Sequence, residues 1–575
     1  MDDQVPLTRD ASFLSSILPL VPTYAHLIFT ALIPIITGAH ASITRPNNVR
    51  PPQHSRPRGK EAASAPHDDD DPDDDEQESS PIETLTPKDA ILFPVTAGIM
   101  LGGLYLIIKS LDDITILSRI FTYYFTLVGL FAVGKFSADA LGLFVSVIFP
   151  RRWSQEANGK RRVYIAAHDR YKLYLVAEEK AEDGVETEKL NPFPKSLIRV
   201  PQSLYAPLWG LRRSLLAKWA VVLKLGVGEE GAARTTFWVG DVAGLVLGLI
   251  CVAGYVISEK HWFASNIMGV SFAYCSMQLI SPTTFGTATL LLSLLFFYDI
   301  YFVFYTPLMV TVATSIDAPI KLLFPRPTLD PQQQYALAML GLGDVVLPGI
   351  MIAMALRFDF WRWCEVRRAK EQALYNVVAT AGTPMPRHQL PKYIKPTGAW
   401  GERLWNCGAN DLAGVFPKTY FWASIGGYIA GMLVTVTVMH IWSRAQPALL
   451  YLVPGVMMAV WGTAVVRGEV GMAWAYSEEV HAEEEEKGRK KNKGTEKAVG
   501  AEEAADGKIK EKIKEGDKGE ESGKDMLQEP SENKGEGEKQ DKNDDIELVD
   551  ENGEAEYISV RIVKRPAPGA AFVRR

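Results

Sequence analysis

Little in this sequence could support metal, disulfide or nucleophile chemistry. Four cysteines occur in 575 residues. Cys251, Cys275, Cys364 and Cys407 are scattered, with no CxxC or other ligand spacing, which argues against a disulfide framework or a zinc site. No HExxH is present, so the usual zinc-protease signal is missing, and no GxSxG elbow marks a serine hydrolase. Among nine histidines, His440 falls near the end of an apolar run and reads as an interfacial residue. Gly226–Gly231 fits GxGxxG, but Glu229 and Glu230 would repel a pyrophosphate and no Rossmann helix follows. The basic loops lack the interleaved aromatics of a nucleic-acid module. No cofactor, metal or nucleic-acid partner is therefore expected.

Charge is also missing from long stretches, and those stretches define the class. Hydrophobic residues make up 47% of the chain and charged residues 22%, and the two are segregated. Apolar runs of about 18–25 residues recur, the length that crosses about 30 Å of hydrocarbon. Nine spans are expected: Tyr24–Ile43, Ile91–Ile108, Ile120–Phe149, Phe237–Ile257, Trp262–Ile280, Phe285–Thr311, Tyr335–Leu356, Tyr420–Trp442 and Pro447–Val466. The fold class is an all-α polytopic membrane protein. Its expected parts are an N-terminus and first helix (1–43), a linker (44–88), helices two and three (89–149) and an enlarged loop (150–234). Helices four to seven (235–356), a second loop (357–418), helices eight and nine (419–476) and a tail (477–575) follow. The linker, with its Asp68–Asp75 run, and the Lys/Glu/Gly-rich tail have little to bury and are expected to be disordered.

Basic residues collect in alternate connections. Arg45–Lys88, Arg151–Arg234 and Arg357–Lys418 hold about 32 Lys/Arg, against about seven on the opposite face, so the rich loops are expected in the cytosol. This places the N-terminus in the lumen and the C-terminus in the cytosol. Ala39-His40-Ala41 could be read as a leader cleavage site, but Met1-Asp2-Asp3 is acidic where a leader is basic, and the first span is read as an anchor. Within the long loop, Arg162–Ile165 and Tyr171–Leu175 alternate as a small β-hairpin would. Leu208–Leu225 suggests a helix lying at the membrane surface.

Ionisable groups inside spans cost about 2.5–3.5 kcal/mol each at a helix centre, so the few present are informative. Asp299 lies in the sixth span and Asp344 near the middle of the seventh, with no Lys or Arg in either. Lys135 and Asp139, four apart in the third span, read as a structural pair. The plain alternative for Asp299 and Asp344 is two protonated carboxyls that only hold helices together. Their surroundings point further. Pro348 has no N–H for the Asp344 carbonyl, which opens the helix where only protein or water can satisfy it. Gly341 and Gly343 let another backbone approach. Gln446-Pro447-Ala448-Leu449 opens the ninth span, with Pro454 breaking a second helical bond within it.

Tyr298-Asp299, Gly341-Leu342-Gly343-Asp344 and Gln446-Pro447-Ala448-Leu449 resemble the motifs of the GxGD-type intramembrane aspartyl proteases of the signal peptide peptidase and presenilin type. Asp317–Pro325 is also similar. The resemblance runs from about Phe237 to Tyr476, and the two cytosolic loops are enlarged beside it. It implies a presenilin-like helical bundle with Asp299 and Asp344 as the catalytic pair. Tyr298, Gly341, Gly343, Gln446, Pro447, Ala448 and Leu449 would support the site or the substrate. It further implies transmembrane peptide substrates, namely signal peptides and type II membrane helices, in the endoplasmic reticulum membrane. The family's reticulum members often end in a dilysine signal, whereas this sequence ends Phe572-Val573-Arg574-Arg575. Two close carboxyls would share a proton, one drawing a proton from water while the other polarises the scissile carbonyl. Two other classes stay open from the residues: a cation- or proton-coupled transporter or channel, and a non-catalytic chaperone for membrane helices. A homo-oligomer also stays open.

Overall fold

The computed structural model describes residues 18–43, 83–110, 114–157, 160–166, 169–174, 188–194, 201–225, 232–258, 260–315, 321–325, 337–378, 404–405, 415–442 and 446–478, with short strands within 548–565. The disorder expected of the linker up to residue 82, and of the tail beyond 478 apart from those strands, lies outside the described residues. So does most of the second loop. The chain divides into two units. One comprises Val221–Thr235 and Glu478–Ile562, and in it Leu548–Val549 pairs antiparallel with Ala555–Glu556. The membrane helices belong to the other.

In chain order the helices are α1 (Val21–Ala41), α2 (Pro87–Ser110), α3 (Ile114–Ile148), α4 (Tyr205–Leu216), α5 (Val239–Ile257), α6 (Trp262–Leu279), α7 (Phe285–Ile300), α8 (Leu308–Ser315), α9 (Leu342–Val378), α10 (Thr419–Trp442), α11 (Leu449–Val466) and α12 (Val470–Ala475). Among the described residues, seven helices are long and apolar enough to cross a membrane: α1, α2, α3, α5, α7 with the turn after it, α10 and α11. The two expected spans that fall short coincide with α6 and α9. Ser265, Asn266, Ser271, Ser276 and Gln278 dilute α6, while α9 runs on into the charged stretch from Arg357 to Lys370. Both are enclosed by other helices: α6 by α1 and α3, and α9 by α1, α6, α7, α10 and α11. A helix that meets protein rather than lipid has no need to be apolar all round. The chain is a multi-pass membrane protein.

Three elements depart from the sequence expectation. The sixth span is interrupted: α7 ends at Ile300, Tyr301–Tyr305 forms a π-helical turn, and Thr306 is extended before Pro307. A residue before proline is pushed out of the helical region, which explains the break. The seventh span does not begin as helix. Numbered in chain order from β1 (Glu83–Leu85), with β6 (Lys218–Leu225), β7 (Ala232–Trp238) and β8 (Ile280–Pro282) before it, strand β9 (Lys321–Pro325) pairs antiparallel with strand β10 (Leu337–Gly341) from Leu337↔Pro325 to Gly341↔Lys321. Apolarity alone cannot separate a buried strand from a buried helix, and Gly341 and Gly343 resist helix propagation. Asp344 therefore lies in the first turn of α9 rather than mid-helix. Lastly, the surface helix covers only Tyr205–Leu216, and Lys218–Leu225 is strand, consistent with its β-branched Val221-Val222.

The fold is the expected α-helical polytopic bundle, with short strands between its helices. In the enlarged loop, β2 (Arg152–Ala157), β3 (Lys160–Ala166), β4 (Tyr171–Tyr174) and β5 (Glu188–Lys189) form an antiparallel meander that extends the expected hairpin. Trp153, Tyr164, Tyr171 and Trp209 form its core. Trp405, from the second loop, donates its indole N–H to the Val147 carbonyl at 2.8 Å and accepts the Ser154 amide at 3.2 Å. The two enlarged loops are thereby joined.

Candidate active site

The site forms where three elements of the bundle begin or end. Thr284 caps α7, accepting the Thr287 amide at 3.0 Å, and the apolar run carries the helix to Ile300. Asp299 is one residue from that end and only 4% exposed. A carboxylate at a helix C-terminus faces the negative end of the dipole, so its partner must come from elsewhere. That partner is the backbone amide of Leu449, which donates to Asp299 Oδ2 at 3.2 Å. Leu449 is the first residue of α11, and Ala448 before it has no side chain that could cap the helix. The first amides of a helix lack internal acceptors and carry its positive end. Asp299 thus caps α11 from across the bundle, which gives Pro447-Ala448-Leu449 a physical role. Pro447, buried, precedes the helix rather than standing in its first turn, and Gln446 is half-buried.

Asp344 reaches the site from the other side. It is the third residue of α9, where the dipole favours an anion. The Gly341 backbone lies directly beside its carboxylate. A Cβ at position 341 would stand 3.3 Å from Asp344 Oδ2, so any side chain there crowds the carboxylate. Gly343 is different. Exposed like Gly341, it would bring a Cβ only against Leu347 at 3.9 Å, leaving that flank of the helix open. Pro348 lies within α9 as expected, and the carbonyl it leaves without an amide receives a long hydrogen bond, 3.5 Å, from the hydroxyl of Tyr428 on α10. The Asp299 and Asp344 carboxyls stand near enough for the charge of one to act on the other.

Close helix contact sets this arrangement. A Cβ on Gly455 would lie 2.6 Å from the Gly427 carbonyl oxygen, and one on Gly431 would lie 2.7 Å from that of Tyr451. Without side chains at 427, 431 and 455, α10 and α11 cross backbone to backbone. Gly427 and Gly431 repeat at four residues, a signal readable in sequence but passed over there. Tyr428 carried no such signal. Tyr298, expected as site support, lays its ring against Phe302 at 4.4 Å and beside Gly98 of α2.

Strand β10 leads directly into Gly341. Its partner β9 is anchored by Asn266 of α6, which donates to the Leu323 carbonyl at 2.8 Å and accepts the Leu323 amide at 2.7 Å. Among the described residues β10 pairs on one edge only, and Leu337 and Met339 are exposed along it. Among the described residues, no group of three His, Cys, Asp or Glu side chains converges as a metal would require.

Residues 77–480 match the signal peptide peptidase family. The chain is 28% identical to the human signal peptide peptidase over 456 residues, covering 79% of this chain and 83% of that protein. It is 27% identical to the mouse signal peptide peptidase over the same length and coverage. Intramembrane protease 2 of Caenorhabditis elegans is 36% identical over 255 residues, 43% of this chain and 46% of that one. No solved structure matches.

Proposed function

We propose, for a chain that belongs to the signal peptide peptidase family and is an intramembrane aspartyl protease acting on transmembrane substrates, that Asp299 and Asp344 are its catalytic pair. The observation that carries this is the meeting of Asp299 with the Leu449 amide at 3.2 Å, with the Asp344 carboxylate lying against Gly341. One carboxyl draws a proton from water and the other, protonated, polarises the scissile carbonyl. Water attacks directly, and the proton passes to the departing amine. The titration belongs to the pair, so base and acid are not assigned to one residue each.

A transmembrane helix has no free backbone carbonyl to offer, so it must unwind at the cut. The open edge of β10 supports a docking mode in which the unwound segment adds as a strand, main chain to main chain, with its carbonyl delivered past Gly341 toward Asp344. Gly341 admits that approach and Gly343 leaves room beside it. Gln446, Pro447 and Ala448 line the other side. Signal peptides left in the endoplasmic reticulum membrane and type II membrane helices are the substrates that fit. They enter with their N-termini on the face where the loops Arg151–Arg234 and Arg357–Lys418 lie, the cytosolic one, the protein's own N-terminus being lumenal.

The test uses the purified full chain in detergent with a labelled signal-peptide helix. Cleavage should stop in Asp299→Ala, and a span with Gly or Pro at the cut should be processed faster than a Leu-only span. Residual cleavage in the variant would remove Asp299 from the chemistry. Equal rates for the two spans would remove the unwinding step.

A further inference from the structure

Beside α6, away from the aspartates, lies a cavity of about 510 Å³. Its walls come from α1 (Thr37, His40, Ala41), from α3 between Lys135 and Leu143, from Trp238 just before α5, and from Tyr274 and Gln278 of α6. Three of these helices have an end here: α1 stops at Ala41, α6 stops at Leu279 and α5 starts at Val239. The cavity therefore sits at one end of the bundle, on the face of the enlarged loop, at the depth where hydrocarbon gives way to headgroups.

The polar groups in it are unevenly matched. Lys135 Nζ donates to Asp139 Oδ1 at 2.9 Å, and the Tyr274 hydroxyl donates to Asp139 Oδ2 at 2.7 Å, so both oxygens of Asp139 are engaged. The donors are not used up. An ammonium has three N–H groups, of which Lys135 gives one to Asp139, and its side chain remains 53% exposed. The Gln278 Nε2 is buried beside the Tyr274 hydroxyl without a well-formed hydrogen bond among the described residues. A buried amide donor without a well-formed bond costs free energy, and Lys135 keeps N–H groups beyond the one given to Asp139. Around them the lining is apolar, with Phe136, Ala138, Leu143 and Trp238. Spare donors and a cation above an apolar slot, at headgroup depth, describe the complement of an anionic oxygen that carries hydrocarbon.

We propose that this cavity binds one glycerophospholipid, its phosphate on Lys135 and Gln278 and an acyl chain along Phe136, Leu143 and Trp238. The same helix, α6, places Met277 where its sulfur would lie 3.0 Å from a Cβ on Gly349, five residues beyond Asp344. A lipid seated here braces the helix that backs the Asp344 segment.

The experiment is native mass spectrometry of the full chain, stripped of lipid in detergent and titrated with dioleoyl phosphatidylcholine. One phospholipid per chain should be retained, and Lys135→Ala and Gln278→Leu should each lower retention by about fivefold, as loss of one charge or donor at a headgroup implies. Lys135→Arg should retain it, and dioleoylglycerol, which lacks the phosphate, should not be held. Ala140→Phe, which narrows the cavity without touching a donor, should also lower retention. Melting temperatures identify any variant that fails to fold, and the remaining variants then decide. Retention unchanged in the folded donor variants, or dioleoylglycerol held as well as phosphatidylcholine, would overturn the proposal.

Discussion

Gly341 is the glycine whose missing side chain leaves the Asp344 carboxylate its room. Alanine there would place a methyl 3.3 Å from Asp344 Oδ2 and in the path of a substrate on β10. Misplacement of a reacting group by about 1 Å costs about 10²-fold, so Gly341→Ala should lower kcat by one to two orders of magnitude with little change in melting temperature. Gly343→Ala, which meets only Leu347 at 3.9 Å, should keep its kcat and lose substrate affinity instead. Steady-state kinetics on both variants separates these outcomes, and an unchanged Gly341→Ala would show that the carboxylate is not confined as described. Tyr428 acts through another group, the Asp344 carbonyl that Pro348 leaves open. Leaving a buried carbonyl unpaired costs about 1–3 kcal/mol, and a 3.5 Å bond belongs at the low end. Tyr428→Phe should therefore lose about tenfold in kcat and a few degrees in melting temperature, with KM unchanged. An unaltered kcat would leave the hydroxyl without a role at Asp344.

The helix ends explain why the site lies where it does. Asp299 stands at the end of one helix, Asp344 in the first turn of another, and Leu449 opens a third. Each terminus leaves backbone groups that the membrane cannot satisfy, so they serve one another. The crossing of α10 and α11 keeps Leu449 within reach of Asp299. Gly455→Leu would force that crossing apart against the Gly427 carbonyl, and overpacking of this kind costs about 1–3 kcal/mol. Thermal unfolding should register that loss, with catalysis falling further than stability alone predicts because the Asp299 cap is displaced. Activity that tracks folded fraction would reduce the crossing to a scaffold. The sequence made Asp299, Asp344 and the Pro447–Leu449 segment visible, because charge and proline inside apolar runs are conspicuous. The strand before Gly341 was not legible, since Leu337–Leu340 reads equally as buried helix and its partner β9 comes from a distant segment. Nor was Tyr428, an ordinary aromatic in an apolar span whose role appears only when α10 is packed against α9.

Across the whole molecule, apolar runs located the bundle, its interior helices included. The two helices that fall short of the apolar criterion, α6 and α9, are the ones walled in by protein. On the loop face the bundle is tied by polar contacts: Arg357 donates to Ser42 and Ser281 at 2.9 and 2.8 Å, while Glu469 accepts from Tyr420 and pairs with Arg362. If this face is cytosolic, as the basic loops indicate, a glycosylation acceptor appended to the N-terminus should be modified in microsomes. One inserted in Arg151–Arg234 should not, and the reverse pattern would invert the proposed orientation. The central claim is that two aspartates act as one catalytic unit. Its most direct test is the turnover of a labelled signal-peptide helix by Asp299→Asn, Asp344→Asn and the double variant, each verified as folded by its melting temperature. Members of a unit are non-additive, so each single change should abolish cleavage as completely as both together. Measurable turnover in either single variant, with a further drop in the double, would contradict the account.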